Sequence, residues 1–270
     1  MAMERKAIFI TGAASGIGLA TAKRFASEGW LVGLSDIDGP GLKSALAAIG
    51  GDNAGFTALH DVRKADEWER ALDAFVQAAG GRLDVLVNNA GIARYGWFTE
   101  QAPKDFDDQI DINLRGVILG AYLGHERLKH TPGSRLINIA SAASLSGSPR
   151  LAVYSATKFA VRGLSEALDI EFMRSGVRVS CVEPTVIETP LLDKASAPGG
   201  PSFREAITRG IGAALPVETA AEVVWRAAHD EPLHYPVGDG PAAMLQEINP
   251  RIEATRARWK EMFRTGQVQG

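Results

Sequence analysis

The sequence predicts an α/β fold in a single domain, residues 1–270: a doubly wound parallel sheet with helices on both faces. Three observations predict it. Short apolar runs alternate with longer amphipathic stretches from Ala7 to Val182, the rhythm of strands joined by crossover helices. No linker or shift in composition interrupts that rhythm. A chain of 270 residues is long enough for one such domain to bury roughly three quarters of its unfolded surface.

The elements follow in order. Ala7 to Ile10 reads as the first strand and Ile17 to Glu28 as the first helix. Leu31 to Ser35 is the second strand, with a helix around Leu42 to Ala48. Phe56 to His60 is the third strand, followed by a helix from about Ala65 to Ala79. Leu83 to Asn88 is the fourth strand, and one helix spans about Phe106 to His125. Arg135 to Ala140 is the fifth strand, Tyr154 to Arg174 a long helix, and Val177 to Val182 the sixth strand. Runs this short and this apolar belong in a sheet covered on both faces.

Two regions leave the rhythm. Thr185 to Gly210 contains Ala197-Pro198-Gly199-Gly200-Pro201 and reads as a mobile loop with a short helix. The segment from about 185 to 215 is the expected substrate loop. After Pro236-Val237-Gly238-Asp239-Gly240, residues 241–270 form a C-terminal extension whose part from Met244 to Arg264 is helical in composition. Leu245, Ile248, Ile252, Trp259 and Phe263 are its expected apolar side. Glu247, Arg251, Glu253, Arg256, Arg258, Lys260 and Glu261 are its expected solvated face.

Composition narrows the function classes. The chain is 46% hydrophobic and 23% charged, with a net charge of −3. That balance predicts neither nucleic acid nor an acidic membrane as partner. The five histidines are scattered without metal-ligand spacing, and no metal is expected. Cys181 is the only cysteine, so no intramolecular disulfide forms and a reducing, cytoplasmic setting is expected. It lies in an apolar run and reads as a buried core residue. Met1 to Lys6 run straight into a strand pattern and predict no signal peptide. No apolar stretch reaches the ~20 residues that cross a bilayer.

The first strand runs into Thr11-Gly12-Ala13-Ala14-Ser15-Gly16-Ile17-Gly18. Glycines there permit a tight turn and let backbone approach a pyrophosphate. The following helix N-terminus adds N–H donors and a positive dipole end. The same glycines could make a purely structural loop. Asp36 ends the second strand, eighteen residues after Gly18. A carboxylate there accepts hydrogen bonds from an adenosine ribose and repels a 2′-phosphate. Ser15 and Ile37 stand where a basic residue would hold that phosphate, so NAD is favoured over NADP. Alternatively, Asp36 begins the Asp36-Ile37-Asp38-Gly39-Pro40 turn. Asp61-Val62 and Asn88-Asn89-Ala90-Gly91 end the third and fourth strands, where such sheets place ligands.

Tyr154 and Lys158 are spaced i, i+4 and share a helix face. A phenol with a pKa of about 10 is a poor base at neutral pH. A neighbouring ammonium should lower it, so that Tyr154 exchanges a proton with an alcohol or ketone oxygen. Ser141, thirteen residues before Tyr154, would hydrogen-bond the same oxygen. Taken alone, a Tyr/Lys pair on a helix is surface decoration. A phosphate-cradling turn and a Ser/Tyr/Lys group in one chain together imply hydride transfer with a nicotinamide cofactor.

These residues closely resemble the short-chain dehydrogenase/reductase family, a Rossmann-type fold, over approximately residues 6 to 190. Thr11 to Gly18 matches its TGxxxGxG turn, and Asn88 to Gly91 its NNAG segment. Ser141, Tyr154 and Lys158 match its catalytic serine, tyrosine and lysine. Asn113 matches its helix asparagine, which completes a tetrad and holds a water in a proton relay. The resemblance implies that Lys158 also bonds the nicotinamide ribose. It implies NAD preference from Asp36, and Asp61 and Val62 beside adenine. Pro184-Thr185-Val186-Ile187-Glu188-Thr189 resembles the PGxxxT segment. There Ile187 should meet the carboxamide through its backbone, and Thr189 should bond carboxamide or phosphate. Thr185 replaces the usual glycine, which could restrict the local backbone. A homo-oligomer, dimer or tetramer, is implied. The extension past Gly240 puts the usual tetramer contact in doubt; it could cover the substrate pocket or contact another subunit.

The loops Arg94 to Phe98, Ser144 to Val153 and Pro190 to Ile211 should select the substrate. They carry Tyr95, Trp97, Phe98, Leu145, Leu151, Leu191, Leu192 and Phe203, with Arg94, Arg150, Lys194 and Arg204 as the basic residues. An apolar secondary alcohol or ketone of moderate size is expected. An NADP-linked carbonyl reductase and a non-catalytic NAD-binding sensor or scaffold are the alternatives.

Overall fold

β1 (Ala7–Thr11) is buried at every position, and the sheet is built outward from it. The computed structural model describes residues 5–196, 202–210 and 213–265. Ala197-Pro198-Gly199-Gly200-Pro201, Ile211 and the side chain of Phe263 lie outside the described residues. The remaining strands are β2 (Leu31–Asp36), β3 (Gly55–Leu59), β4 (Val85–Asn88), β5 (Arg135–Ile139), β6 (Arg178–Pro184) and β7 (His234–Val237). They form one seven-stranded sheet in the order β3-β2-β1-β4-β5-β6-β7, parallel throughout. Ile10 faces Leu34 on one side and Val87 on the other.

The helices are α1 (Gly16–Ser27), α2 (Gly39–Ala48), α3 (Ala65–Ala78), α4 (Pro103–Ile110), α5 (Gly116–Leu128), α6 (Ala152–Glu171), α7 (Leu191–Lys194), α8 (Phe203–Gly210), α9 (Val217–Ala227) and α10 (Asp239–Arg264). Period-2 alternation along β1 divides the core between the two faces. Ile8 and Ile10 pack with Phe25, Leu42 and Val224 on one face. Phe9 packs with Trp68, Leu72, Phe75 and Leu86 on the other. Buried Asn88, Asn138 and Ser165 link β4, β5 and α6. Asn88 Nδ2 donates to Asn138 Oδ1 at 2.9 Å, and Asn138 Nδ2 to Ser165 Oγ at 3.0 Å.

Four features differ from the sequence reading. The helix expected over Phe106 to His125 is α4 and α5 joined by a π-helical turn, Asp111–Arg115. β7 and α9 extend the fold beyond the sixth strand. His234-Tyr235-Pro236-Val237 is short and contains a proline, a weak strand signal, and it forms the edge strand, where proline is tolerated. Arg256, expected in solvent, is buried, and donates to Asp169 of α6 at 2.5 Å. Finally, the described part of the extension, α10, packs against β7 and α6. It faces Gly163, Glu166, Ala167 and Ile170, across a groove of about 700 Å³. Nine residues at 100° each set Gly163 half a turn from Tyr154 on α6. Among the described residues no helix is long and apolar enough to cross a membrane.

Candidate active site

The strand order reverses between β1 and β4, which opens a crevice at their carboxyl ends. The turn after β1 fills one side of it. Gly12 and Gly16 adopt φ of 65° and 55°, a region that favours residues without Cβ. A Cβ on Gly18 would lie 2.2 Å from the Gly12 carbonyl oxygen, and one on Gly12 would lie 2.9 Å from the Ala90 Cα. The turn therefore closes on itself and on the end of β4. Thr11 Oγ1 accepts from the backbone N–H groups of Asn89 and Ala90 at 3.0 and 3.1 Å. Asn89 Nδ2 donates back to the carbonyls of Thr11 and Gly12 at 2.8 and 3.2 Å. Ser15 caps α1 with extended backbone and no side-chain bond to the helix, and Ile17 packs inward. A bare backbone cradle at a helix N-terminus fits a pyrophosphate.

Asp36 stands beside that cradle. Its carboxylate accepts from Ala14 N and Asp38 N, both at 3.1 Å. Thus it shapes the turn that begins at the end of β2, beside the cradle. Ile37 is exposed next to it. Asp61 is held by Arg63, whose Nη2 lies 2.7 Å from Oδ2. The Arg63 side-chain hydrogen bonds, against the desolvation that opposes them, hold its carboxyl below the ordinary aspartate value. Val62 is buried beneath it, against the Gly116 backbone.

The other side of the crevice carries the proton chemistry. Ser141 follows β5. Its Oγ accepts from Ala143 N at 3.1 Å and lies 3.5 Å from the Pro184 carbonyl, the limit of a hydrogen bond, and the hydroxyl also hydrogen-bonds Tyr154. Lys158 Nζ donates to the Ile139 carbonyl at 2.8 Å and lies 5.7 Å from the centroid of the Tyr154 ring. An ammonium carries three donors, so two remain. Gly91 lies between: a Cβ there would be 3.3 Å from Asn113 Oδ1 and 3.7 Å from Lys158 Nζ.

Asn113 is fully buried in the π-helical turn. Its amide clamps the backbone of Ile92, Oδ1 accepting from Ile92 N and Nδ2 donating to Ile92 O, both at 2.8 Å. Nδ2 also reaches Thr157 Oγ1 at 3.3 Å. Asn113 therefore holds the β4 loop against α6.

The expected lowering of the Tyr154 phenol is not what the free protein has. Burial raises its pKa, and a hydrogen bond with Ser141 opposes that rise. Burial also lowers Lys158 to about 8. The low-dielectric site disfavours both charges, and the ammonium is turned to a backbone carbonyl.

After β6, Pro184 leads into a segment bridged to Leu215. Val186 O accepts from Leu215 N at 2.9 Å and Glu188 N donates to Leu215 O at 2.8 Å, on either side of Ile187. Thr189 comes against the glycine turn: a Cβ on Gly16 would lie 3.2 Å from Thr189 Cγ2. Thr185 does not strain the backbone, since Arg150 is the one non-glycine residue with positive φ among those described. Tyr95, Leu192, Phe203 and Ile207 form an apolar cluster that meets Tyr154 and Leu151. Thr157 and the π-turn escaped the sequence reading, and Thr11, though part of the matched glycine turn, was given no role of its own. A lone threonine on a helix has no signature, and a π-turn has the composition of the helix around it.

The comparisons with known proteins agree with this geometry. Residues 6–198 match the short chain dehydrogenase family. The chain is 36% identical over 230 residues to a D-threitol dehydrogenase of Mycolicibacterium smegmatis, covering 84% of this chain and 87% of that one. It is 36% identical over 226 residues to a 3-alpha-(or 20-beta)-hydroxysteroid dehydrogenase of Mycobacterium bovis, covering 83% of each. A short chain dehydrogenase/reductase from Burkholderia phymatum, solved in complex with NAD, superposes with a TM-score of 0.81 at 25% identity, covering 95% of this chain and 97% of that one. With its parallel sheet, glycine turn and Ser141/Tyr154/Lys158 group, the chain belongs to the short-chain dehydrogenase/reductase family of oxidoreductases.

Proposed function

We propose that the protein interconverts a secondary alcohol and a ketone with NAD, using Tyr154 as the proton-exchanging group. The observation that carries the reading is the convergence of Asn113, Ser141, Tyr154 and Lys158 beside the Gly12–Gly18 cradle. Gly12, Ser15, Gly16, Ile17 and Gly18 would hold the pyrophosphate. Asp36 and Ile37 would meet the adenosine ribose, and Asp61 and Val62 the adenine side. Asn89, Ala90, Gly91, Pro184, Ile187 and Thr189 would line the nicotinamide end. When bound, the nicotinamide supplies hydride exchange and, oxidised, a positive ring.

The chain's own residues handle the rest. Tyr154 takes the hydroxyl proton of an alcohol, or returns one to a ketone. Ser141 donates to the same oxygen and steadies its developing charge. Lys158, charged below about pH 8, favours the phenolate and offers its two remaining N–H groups to the nicotinamide ribose. Asn113 positions the Ile92 loop. Its proposed relay water would use backbone, because its amide is already engaged.

NAD preference rests on the Asp36 carboxylate at the cradle. It points to alcohol oxidation in a cell, because the NAD pool is usually kept oxidised. The apolar cluster around Tyr95, Leu192 and Phe203 suits an apolar substrate body.

Two measurements test the reading. NADH, not NADPH, should raise the thermal midpoint; a ligand at a hundredfold excess over Kd stabilises by ~2.7 kcal/mol. A rise with NADPH alone would overturn the role of Asp36. Tyr154→Phe should lower turnover by ~10²–10⁴ while keeping the NADH shift. Turnover near wild type in that variant would remove Tyr154 from the mechanism.

A further inference from the structure

We infer that Arg150 is the docking point for a carboxylate on the substrate, at the end away from the reacting carbon. The inference rests on the alcohol/ketone reading and specifies its substrate class: hydroxy acids and keto acids with an apolar body.

Arg150 lies in the loop that enters α6, four residues before Tyr154. Its neighbour Leu151 caps α6 and packs in the same apolar cluster as Tyr154 and Tyr95. The guanidinium lies 4.4 Å from the Trp97 ring centroid and 5.6 Å from that of Tyr95. Its Nη1 donates to the Tyr95 hydroxyl at 3.2 Å. Both rings are within cation–π range. No carboxylate pairs with it among the described residues. The aromatic partners orient the cation and leave its charge unneutralised.

The other arginines of the substrate loops are committed. Arg94 is bound to Asp105 at 3.0 Å. Arg204 is bound to Asp193 and Glu188, both at 2.7 Å. One free guanidinium beside an apolar wall matches a monoanion, whose two oxygens accept its parallel N–H groups. A phosphate dianion would call for a second cation.

The backbone supports a functional reading. Arg150 has φ of 65°, a left-handed conformation that a Cβ disfavours. It is held there by Gly96 N donating to its carbonyl at 3.0 Å. Strain of this kind gathers at ligand sites, and here it directs an arginine where glycine would be easier.

The test pairs (ω−1)-hydroxy acids of six to twelve carbons with their methyl esters. In the wild type the best acid should exceed its ester at least tenfold in kcat/KM, mainly through KM. Arg150→Gly keeps the left-handed backbone without strain and should bring the ratio near one; Arg150→Met should do the same. A ratio near one in the wild type, or an acid preference retained in both variants, overturns the inference. Fluorescence titration of the enzyme–NADH complex with the same acids gives a readout without turnover. Acid binding that is lost in Arg150→Gly supports the carboxylate site even if no alcohol is oxidised, an outcome that would instead defeat the alcohol/ketone reading. Equal binding of acid and ester by the wild type overturns the site.

Discussion

Burial sets the charge states of His60, Tyr154 and Lys158 around the crevice. His60 shows the consequence for stability. It follows β3, hydrogen-bonds Ser35 Oγ through Nδ1 at 2.7 Å, and stands edge-on to Trp68 at 4.4 Å. Burial lowers its pKa from 6.5 to about 4, against the pull of Glu67 and Asp61. Between these values the unfolded chain binds the proton that the folded chain refuses. The stability from neutral His60 is therefore complete above pH 6.5 and is lost as pH falls toward 4. By pH 4.5 that loss is about 2–3 kcal/mol. Urea unfolding at pH 7 and 4.5 checks it: His60→Gln should lose correspondingly less than wild type, and equal losses would refute the assignment. None of this is visible in Phe56 to His60, because the pKa depends on Ser35 and Trp68 packing around the ring. Similarly, Tyr154 and Lys158 are legible from spacing, but their charge states are not.

At the scale of elements, helices owe their places to the faces they bury. α3 presents Trp68, Leu72 and Phe75 to the sheet. Asp66 and Glu67 occupy its first turn, complementing the helix dipole. The Phe75 ring stacks obliquely on Phe9 at 5.3 Å and sits where a Cβ on Gly33 would come within 2.8 Å. Phe75→Ala should cost about 3–5 kcal/mol, read from the urea midpoint. Val76→Ala, at a partly buried neighbour, should cost far less; similar losses would mean that Phe75 is not a core anchor. Alternating apolar runs locate six strands and most helices to within a few residues. The π-turn at Asp111–Arg115 was hidden because periodicity does not register one extra residue in a turn. Its burial of Asn113 follows from the contact with Ile92.

Across the whole molecule, α5 and α6 are among the helices that expose large apolar side chains in the described residues. Ile118 and Tyr122, i and i+4 on α5, are 44% and 72% exposed, and Phe159 on α6 is 43% exposed. Exposed apolar groups of this size mark association surfaces, and the homo-oligomer implied by the family resemblance would bury them. Tyr122→Glu should shift the sedimenting species to the monomer, and a wild type that already sediments as a monomer would defeat that expectation. α10 narrows the available surface. Arg256 and Lys260 reach Asp169 at 2.5 and 2.8 Å, fastening the extension over the C-terminal half of α6. This explains why Arg256 alone of the expected solvated face is buried, since Asp169 belongs to a distant segment.

By itself, the sequence determined the sheet class, the glycine turn and the Ser141/Tyr154/Lys158 set, because these follow from local periodicity and from spacings within short segments. Only the tertiary structure decided the partners. It brought Thr11 to Asn89, Asn113 to Ile92, Arg150 to Trp97 and Arg256 to Asp169. Each joins residues from different segments of the chain. Their contact depends on how the layers pack, and burial in that packing sets the charges.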